Sequence, residues 1–277
     1  MFTIQRSSYP KISASSQQGA VLIVVLLFLV LIILAGVIAV RQSTTDLRLA
    51  TSDQISTLLL QSADNANQNI EQSINGSSDT DIYKDMLSGT GPFGYFILDN
   101  SRADHEYSFC FRPRSSFFDI NKTSVKTASG GTVSGLSGDN GYCNPSTPAD
   151  YVSARNASMT QVSVALSSQD ATTESFASYT IGQDSSEISS QAFMFDINST
   201  AVLPAYSGTE SAITDCFKKT GQYDRETDKD EVIAGCMAEA GVPSTVLYEQ
   251  ANVENKSQRV KCSVLGRGDG KFLCTLP

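Results

Sequence analysis

The sequence AVLIVVLLFLVLIILAGVIAV occupies residues 20–40, and this stretch decides how the rest of the chain is organised. It contains no charged residue and no polar side chain. A helix of this length extends for about 31 Å, which is close to the thickness of the hydrocarbon core of a bilayer. A helix of a soluble protein normally keeps a polar stripe toward water, and this one has none. We therefore predict a membrane-spanning helix over residues 20–40.

The residues before this stretch differ from those of an ordinary secretory signal. Residues 1–19 carry Arg6 and Lys11 but no acidic residue, and they end in a polar Gln-Gln-Gly sequence. A secretory signal is cut after its apolar core, at small residues, whereas here the core ends at Val40 and a polar RQS sequence follows it, without an A-x-A pattern. Here the small residue that a peptidase could recognise, Gly19, lies directly before the apolar core. We predict cleavage between Gly19 and Ala20, which removes residues 1–19 as a leader peptide.

The helix is predicted to continue well beyond the apolar stretch. Apolar and small residues recur at steps of three and four between Leu47 and Ile74, and no Pro or Gly occurs from residue 37 to residue 75. Asn75-Gly76 is a typical helix end. One spine helix over residues 20–75, about 84 Å long, follows from this pattern, with residues 41–75 as its amphipathic half. A membrane helix followed by a separate coiled-coil stalk is the alternative, although strict heptads are absent.

Residues 76–277 are predicted to form an α+β head, in which the spine helix packs on an antiparallel sheet that disulfides stabilise. A Gly/Ser-rich surface loop is expected over residues 124–146. Short helices are expected at residues 81–87, 210–219 and 230–240. The predicted strands are residues 94–98, 106–112, 161–166, 176–181, 192–197, 259–265 and 271–276.

The cysteines indicate an oxidising compartment. All six follow the apolar stretch, and no C-x-x-C motif is present. The head is therefore expected in the periplasm and the N-terminus in the cytoplasm. The oxidising compartment disfavours free buried thiols, which are the alternative. Six cysteines allow 15 pairing schemes, and proximity in sequence favours the scheme that joins three pairs of neighbouring cysteines. These pairs are Cys110–Cys143, Cys216–Cys236 and Cys262–Cys274.

The composition offers little support for nucleic-acid binding, metal binding or catalysis. The chain of 277 residues has 20 Lys and Arg against 29 Asp and Glu, a net charge of -9, which argues against a protein that coats nucleic acid. The single histidine, His105, disfavours a His-rich metal site or His-based catalysis. We interpret residues 104–106, Asp-His-Glu, as a solvated strand start. No enzyme activity, no cofactor and no metal are predicted.

Two further motifs are interpreted as solvent-exposed turns. Residues 224–231 form a dense acidic loop without the glycine and spacing of an EF-hand, and calcium binding there remains an alternative. Residues 267–269 spell Arg-Gly-Asp inside a Gly-rich turn, whose turn chemistry explains them without a receptor.

The N-terminal segment resembles a type IV prepilin, most closely the PilX-like minor pilins. The resemblance spans residues 17–75 and is carried by Gln17-Gln18-Gly19 before the apolar stretch, Gly36 within it and Arg41 at its end. It implies cleavage after Gly19 and N-methylation of Ala20 by a prepilin peptidase. It also implies a single-pass inner-membrane protein with a periplasmic head, which later enters a pilus at the cell surface.

Two residues depart from the usual pilin pattern. The mature chain would begin with Ala20 rather than Phe, and its fifth residue would be Val24 rather than Glu. In the family that Glu neutralises the N-terminal amine of the subunit above, so Val24 suits a subunit at or near the filament tip.

The expected function is to join other minor pilins and initiate pilus assembly, in support of twitching, adhesion or DNA uptake. The partners so implied are other minor pilins, the major pilin, the prepilin peptidase, inner-membrane lipid before assembly and a large tip adhesin. A type II secretion pseudopilin, or a membrane-anchored binding ectodomain with an uncut leader, are the alternatives.

Overall fold

The computed structural model describes residues 18–97, 100–127, 131–133, 138–167, 192–206, 209–222, 231–254, 261–264 and 272–275. The chain divides into two compact units, residues 1–54 and residues 55–277. The first unit contains the apolar part of the spine helix. The second contains the rest of that helix and the whole of the described head.

The spine helix, α1, extends over Gln18–Asn75. It is long and apolar enough to cross a membrane by length and composition. It ends at the residue that the sequence indicates, and the next residue explains why. A Cβ on Gly76 would lie 2.8 Å from the carbonyl oxygen of Gln72, so a side chain at this position would require the backbone to shift.

Five strands form an antiparallel sheet in the order β2-β1-β3-β4-β5. They are β1 Glu106–Cys110, β2 Thr123–Lys126, β3 Met159–Leu166, β4 Ala192–Val202 and β5 Ser244–Glu254. A separate two-stranded hairpin is formed by β6 Lys261–Val264 and β7 Phe272–Thr275. The helices after α1 are α2 Asp81–Leu87, α3 Gly94–Ile97, α4 Glu210–Phe217 and α5 Ile233–Glu239. The predicted α+β class, with a spine helix on an antiparallel sheet and disulfides, is confirmed.

The two faces of the sheet build two different cores. One face packs against residues 55–75 of α1, and its largest contributors are aromatic. The other face packs against α4 and α5 around both disulfides. The α1-facing core includes Ala66, Ile70, Ile74, Tyr107, Phe109, Val162, Val164, Phe195 and Ile197.

The predicted strand at residues 94–98 is wrong, because Gly94–Ile97 form the short helix α3. A Cβ on Gly94 would lie 2.2 Å from the carbonyl oxygens of Leu87 and Ser88, so this turn packs directly on the end of α2. The apolar residues that suggest a strand are buried by that packing, with Phe96 in contact with Phe195. A short apolar run does not distinguish a strand from a helical turn.

Three other differences concern strands with polar residues. The predicted loop 124–146 begins inside β2, and β5 is a strand that the sequence analysis missed. The strand expected at residues 192–197 continues to residue 202, because its polar residues are buried and bonded, as in the 2.9 Å hydrogen bond from Asn198 to Gln222. The strand predicted at residues 176–181 lies outside the described residues.

Candidate assembly helix and its head

The first part of α1 presents an apolar surface on every side. Each large apolar side chain from Val21 to Val40 is at least 50% exposed, and Val24 is 52% exposed. No charge interrupts this surface. An exposed apolar area of this extent requires lipid or other apolar helices around it.

The predicted processing site lies at the start of this helix. The backbone of Gly19 and Ala20 is already helical in the first turn of α1. A Cβ placed on Gly36, the other glycine of the helix, would meet nothing within 4 Å. The fold of the described residues therefore does not require glycine there, which is consistent with a position where another helix approaches closely.

The later part of α1 is fixed on the sheet by polar contacts inside an apolar interface. The Ser62 hydroxyl lies 2.9 Å from the Thr160 hydroxyl on β3. The Ser199 hydroxyl on β4 donates a hydrogen bond to the Asn67 side-chain oxygen. Buried hydrogen bonds of this kind define one rotational setting of the helix, because any other setting leaves polar groups unpaired.

Two disulfides stabilise the face of the head opposite α1. Cys110 at the end of β1 is bonded to Cys143, and Cys216 on α4 is bonded to Cys236 on α5. In both bonds the two cysteines follow one another in the sequence, with no other cysteine between them, as predicted. Cys262 and Cys274 are direct register partners in the hairpin β6–β7, and their disulfide stays a prediction because their side chains are not described.

One buried glutamine connects the two disulfide-bonded segments. Gln161 on β3 accepts a 3.2 Å hydrogen bond from the backbone N–H of Cys143. Its amide nitrogen donates to the carbonyl oxygen of Phe217 at 2.7 Å, directly after Cys216. The sheet thus holds both crosslinked segments through a single fully buried side chain.

The interpretation of residues 104–106 as a solvated strand start is wrong for Glu106. Its side chain is only 5% exposed. It accepts a 2.8 Å hydrogen bond from the backbone N–H of Gly221 and another from the Thr220 hydroxyl. A Cβ on Gly221 would lie 2.2 Å from the Ser163 hydroxyl oxygen, so only glycine permits this approach. The alternation of Glu106 with Tyr107 along β1 is a signal for its burial, since it places Glu106 on the same face as Cys110.

A second buried charge lies beside the Cys110–Cys143 disulfide. The Arg112 Nε donates to Asp150 Oδ1 at 2.6 Å, and both residues are almost fully buried. The other carboxylate oxygen of Asp150 accepts a hydrogen bond from the backbone N–H of Asn144 at 2.9 Å. The pair therefore attaches the chain after Cys143 to the end of β1, and neither charge is left unpaired.

Four titratable groups in the described part of the chain have displaced pKa values, and burial raises the pKa of Tyr107 and of Tyr151. Burial lowers the pKa of Lys126, which donates a hydrogen bond to the carbonyl oxygen of Lys218. Burial also raises the pKa of Glu249 on β5, and the carboxylates of Glu71 and Asp64 on α1 raise it further.

The remaining candidate motifs show no catalytic arrangement in the described part of the chain. His105 Nδ1 lies 2.6 Å from the Tyr95 hydroxyl. Among the described residues, no group of three or more His, Cys, Asp or Glu side chains could hold a metal ion. Most of the acidic loop 224–231 and all of residues 267–269 lie outside the described residues, and Glu231 pairs with Lys219 at 2.8 Å.

The comparison with protein families locates the resemblance on this helix. The model of the PilX N-terminal family matches residues 18–66. This segment contains the whole apolar surface and the first residues that pack on the sheet. No curated protein and no solved structure matches the chain. The resemblance to PilX-like minor pilins of type IV pili is confirmed over this segment, which is similar to the PilX N-terminal domain.

Proposed function

We propose that the chain is a minor pilin that joins other minor pilins to initiate assembly of a type IV pilus, at or near its tip. The PilX N-terminal domain supports a structural pilin role rather than an enzymatic one. The apolar surface from Val21 to Val40 supports both required states of a pilin, a membrane-inserted precursor and a subunit packed among similar helices.

Val24 is the observation that carries the tip position. After cleavage behind Gly19, the amine of Ala20 lies among apolar helices, where an unpaired charge is costly. A Glu at the fifth mature position pairs with the amine of the subunit above. A subunit that has nothing above it would bury such a Glu without a partner, and an apolar Val24 removes that cost. The amine of Ala20 can still be neutralised by a Glu of the subunit below.

A position at the tip also suggests what the head presents. The head would contact the other minor pilins, with the major pilin added below, and it would support a large adhesin. Loss of the protein would then reduce the number of pili, and pilus-dependent twitching, adhesion or DNA uptake would decline for that reason. No enzymatic step would be affected.

Complementation of a deletion strain tests this proposal. The deletion is expected to make few or no surface pili, and wild-type protein to restore them. Val24→Glu is expected to give no more surface pili than the wild-type protein. Val25→Glu is the matched control, because it adds an acid one residue beyond the position that would pair with the amine. Better pilus incorporation of Val24→Glu together with poorer incorporation of Val25→Glu would place the subunit inside the filament.

Immunogold labelling locates the head independently. Label at filament ends is expected. Label along the whole filament would contradict the tip position, and normal pilus number in the deletion strain would contradict an essential initiator. A secretion defect with normal pili would favour a type II secretion pseudopilin instead.

A further inference from the structure

The two edges of the five-stranded sheet differ in length and in covering. β2 at one edge has 4 residues, and the segment after it covers this edge. Val133 donates a 2.9 Å hydrogen bond to the Val125 carbonyl oxygen, and Lys126 forms a bridge with Thr132. β5 at the other edge has 11 residues, and within the described ranges it pairs only with β4.

β5 lacks a bulge, Pro and Lys, three features that usually prevent an edge strand from pairing with another chain, and its charged residues are the acids Glu249 and Glu254. Its register with β4 runs without a bulge from Ser244 opposite Val202 to Glu254 opposite Ala192. Its sequence, STVLYEQANVE, contains no Pro, no Lys and no Gly. Every second residue of such a strand directs its N–H and C=O away from the sheet. The edge is about 37 Å long at 3.4 Å per residue.

The side of β5 that faces α1 has an excess of negative charge. Glu249 lies there with Glu71 and Asp64 of α1, and each of these carboxylates disfavours the ionised form of Glu249. No Lys or Arg occurs in residues 49–83 or in β5 itself. Neither of the two elements that meet at this edge therefore supplies a cation for Glu249.

The opposite side of β5 offers apolar contact. Val246 and Tyr248 are 38% and 50% exposed on this side. A strand added to the edge would place alternate side chains beside them and the intervening side chains beside Glu249.

We propose that the outer edge of β5 accepts an extended strand of another protein chain, which places a Lys or Arg side chain beside Glu249. Backbone hydrogen bonds along the edge supply affinity, and the cation supplies selectivity among strands. This surface is separate from the apolar part of α1, so the proposal does not depend on the position of the subunit in a filament.

Peptide binding to the full-length protein in detergent tests the proposal. The probes are two capped nine-residue peptides of alternating Thr and Val, one with a central Lys and the other with a central Glu. We expect the Lys peptide to slow amide hydrogen exchange over residues 244–254 and to leave β1, which does not neighbour β5 in the sheet, unchanged. It should also bind about five to ten times more tightly than the Glu peptide.

Two variants of β5 separate charge selectivity from general adhesion. Glu249→Lys is expected to reverse the preference so that the Glu peptide binds more tightly. Asn252→Lys is the matched control, because Asn252 is exposed on the other side of the same strand, and it should keep the preference for Lys. Circular dichroism and Tm establish that each variant is folded.

Three results would overturn the proposal. One is that the Glu249→Lys variant still binds the Lys peptide more tightly than the Glu peptide. Another is protection by the Lys peptide outside β5 only. The third is slow exchange of every β5 amide in the free protein, since another part of the chain would then already occupy the edge.

Discussion

Glu106 is a charged residue in a position that is normally apolar, and its partners lie far away in the sequence. Its carboxylate holds the Thr220–Gly221 backbone against the sheet. Those residues follow α4 and lie inside the loop that the Cys216–Cys236 disulfide closes, so this carboxylate fixes where the chain runs after α4. Its role is therefore to position a loop.

Glu106→Gln is expected to destabilise the head by about 1.5–3 kcal/mol, because one hydrogen bond to a buried carboxylate is lost and another is weakened. The measurement is denaturant unfolding of the full-length protein in detergent. Asp104→Asn is the control, since Asp104 is exposed two residues earlier and should change stability by less than about 0.5 kcal/mol. Equal stability of the two variants would contradict the assigned role of Glu106.

Glu249 is expected to make stability depend on pH with a defined sign. Its folded-state pKa lies above the ordinary value of 4.5, because of burial first and then the Glu71 and Asp64 carboxylates, with a smaller opposing effect from Asn67. The folded state therefore binds the proton more readily than the unfolded state. Stability contributed by this group falls as pH rises through the raised pKa and recovers on acidification.

Glu249→Gln should consequently raise Tm at pH 7, and the gain should shrink as pH falls toward 4.5. Tm measured between pH 4 and pH 8 checks this expectation. Asp215→Asn, at an exposed position on α4, should show no such trend. A gain that stays constant over the whole pH interval would show that charge is not the cause.

The pair of helices α4 and α5 depends on its crosslink. Each helix has no more than 8 residues, which is too short for independent stability, and Cys216–Cys236 joins them across 20 residues of sequence. The contact of α4 and α5 with the sheet buries Ile213, Phe217 and Met237. Loss of the crosslink should therefore loosen this layer while α1, which contains no cysteine, keeps its structure.

Replacement of both Cys216 and Cys236 by Ala is expected to lower the free energy of unfolding by about 2–4 kcal/mol. Membrane insertion should be unaffected. Ser211→Ala, at an exposed position of α4, is the control. Non-reducing peptide mapping checks the bond itself, and recovery of both residues as alkylated free thiols from periplasmic protein would contradict it.

The complete chain is expected to be shortened before it functions. N-terminal sequencing from cells that contain a prepilin peptidase should begin at Ala20. Gly19→Val should block cleavage, because a side chain at this position would crowd a peptidase at the membrane surface, whereas Gln18→Ala should be processed. An intact mass that retains Met1 in such cells would support a membrane-anchored ectodomain with an uncut leader.

Some elements of the head are predicted by the local pattern of apolar and polar residues, and others are not. α2 has the bounds that the sequence predicts, and its Thr80 cap receives the Tyr83 N–H at 3.3 Å. β5 was missed because its alternation is weak, with Glu249 on the side that packs on α1. Its identity as a strand comes from eleven register pairs with β4, which is distant in sequence.

The sequence by itself determined the spine helix and the neighbouring cysteine pairs of the described disulfides. These features depend on local patterns, since residues 20–40 cannot be buried by a small head and a disulfide forms easily between nearby segments. Tertiary structure alone decided the burial of Glu106, the helical turn at residues 94–97 and the edge position of β5. Each of these depends on partners elsewhere in the chain, and a local pattern contains no information about which distant groups will replace water around a residue.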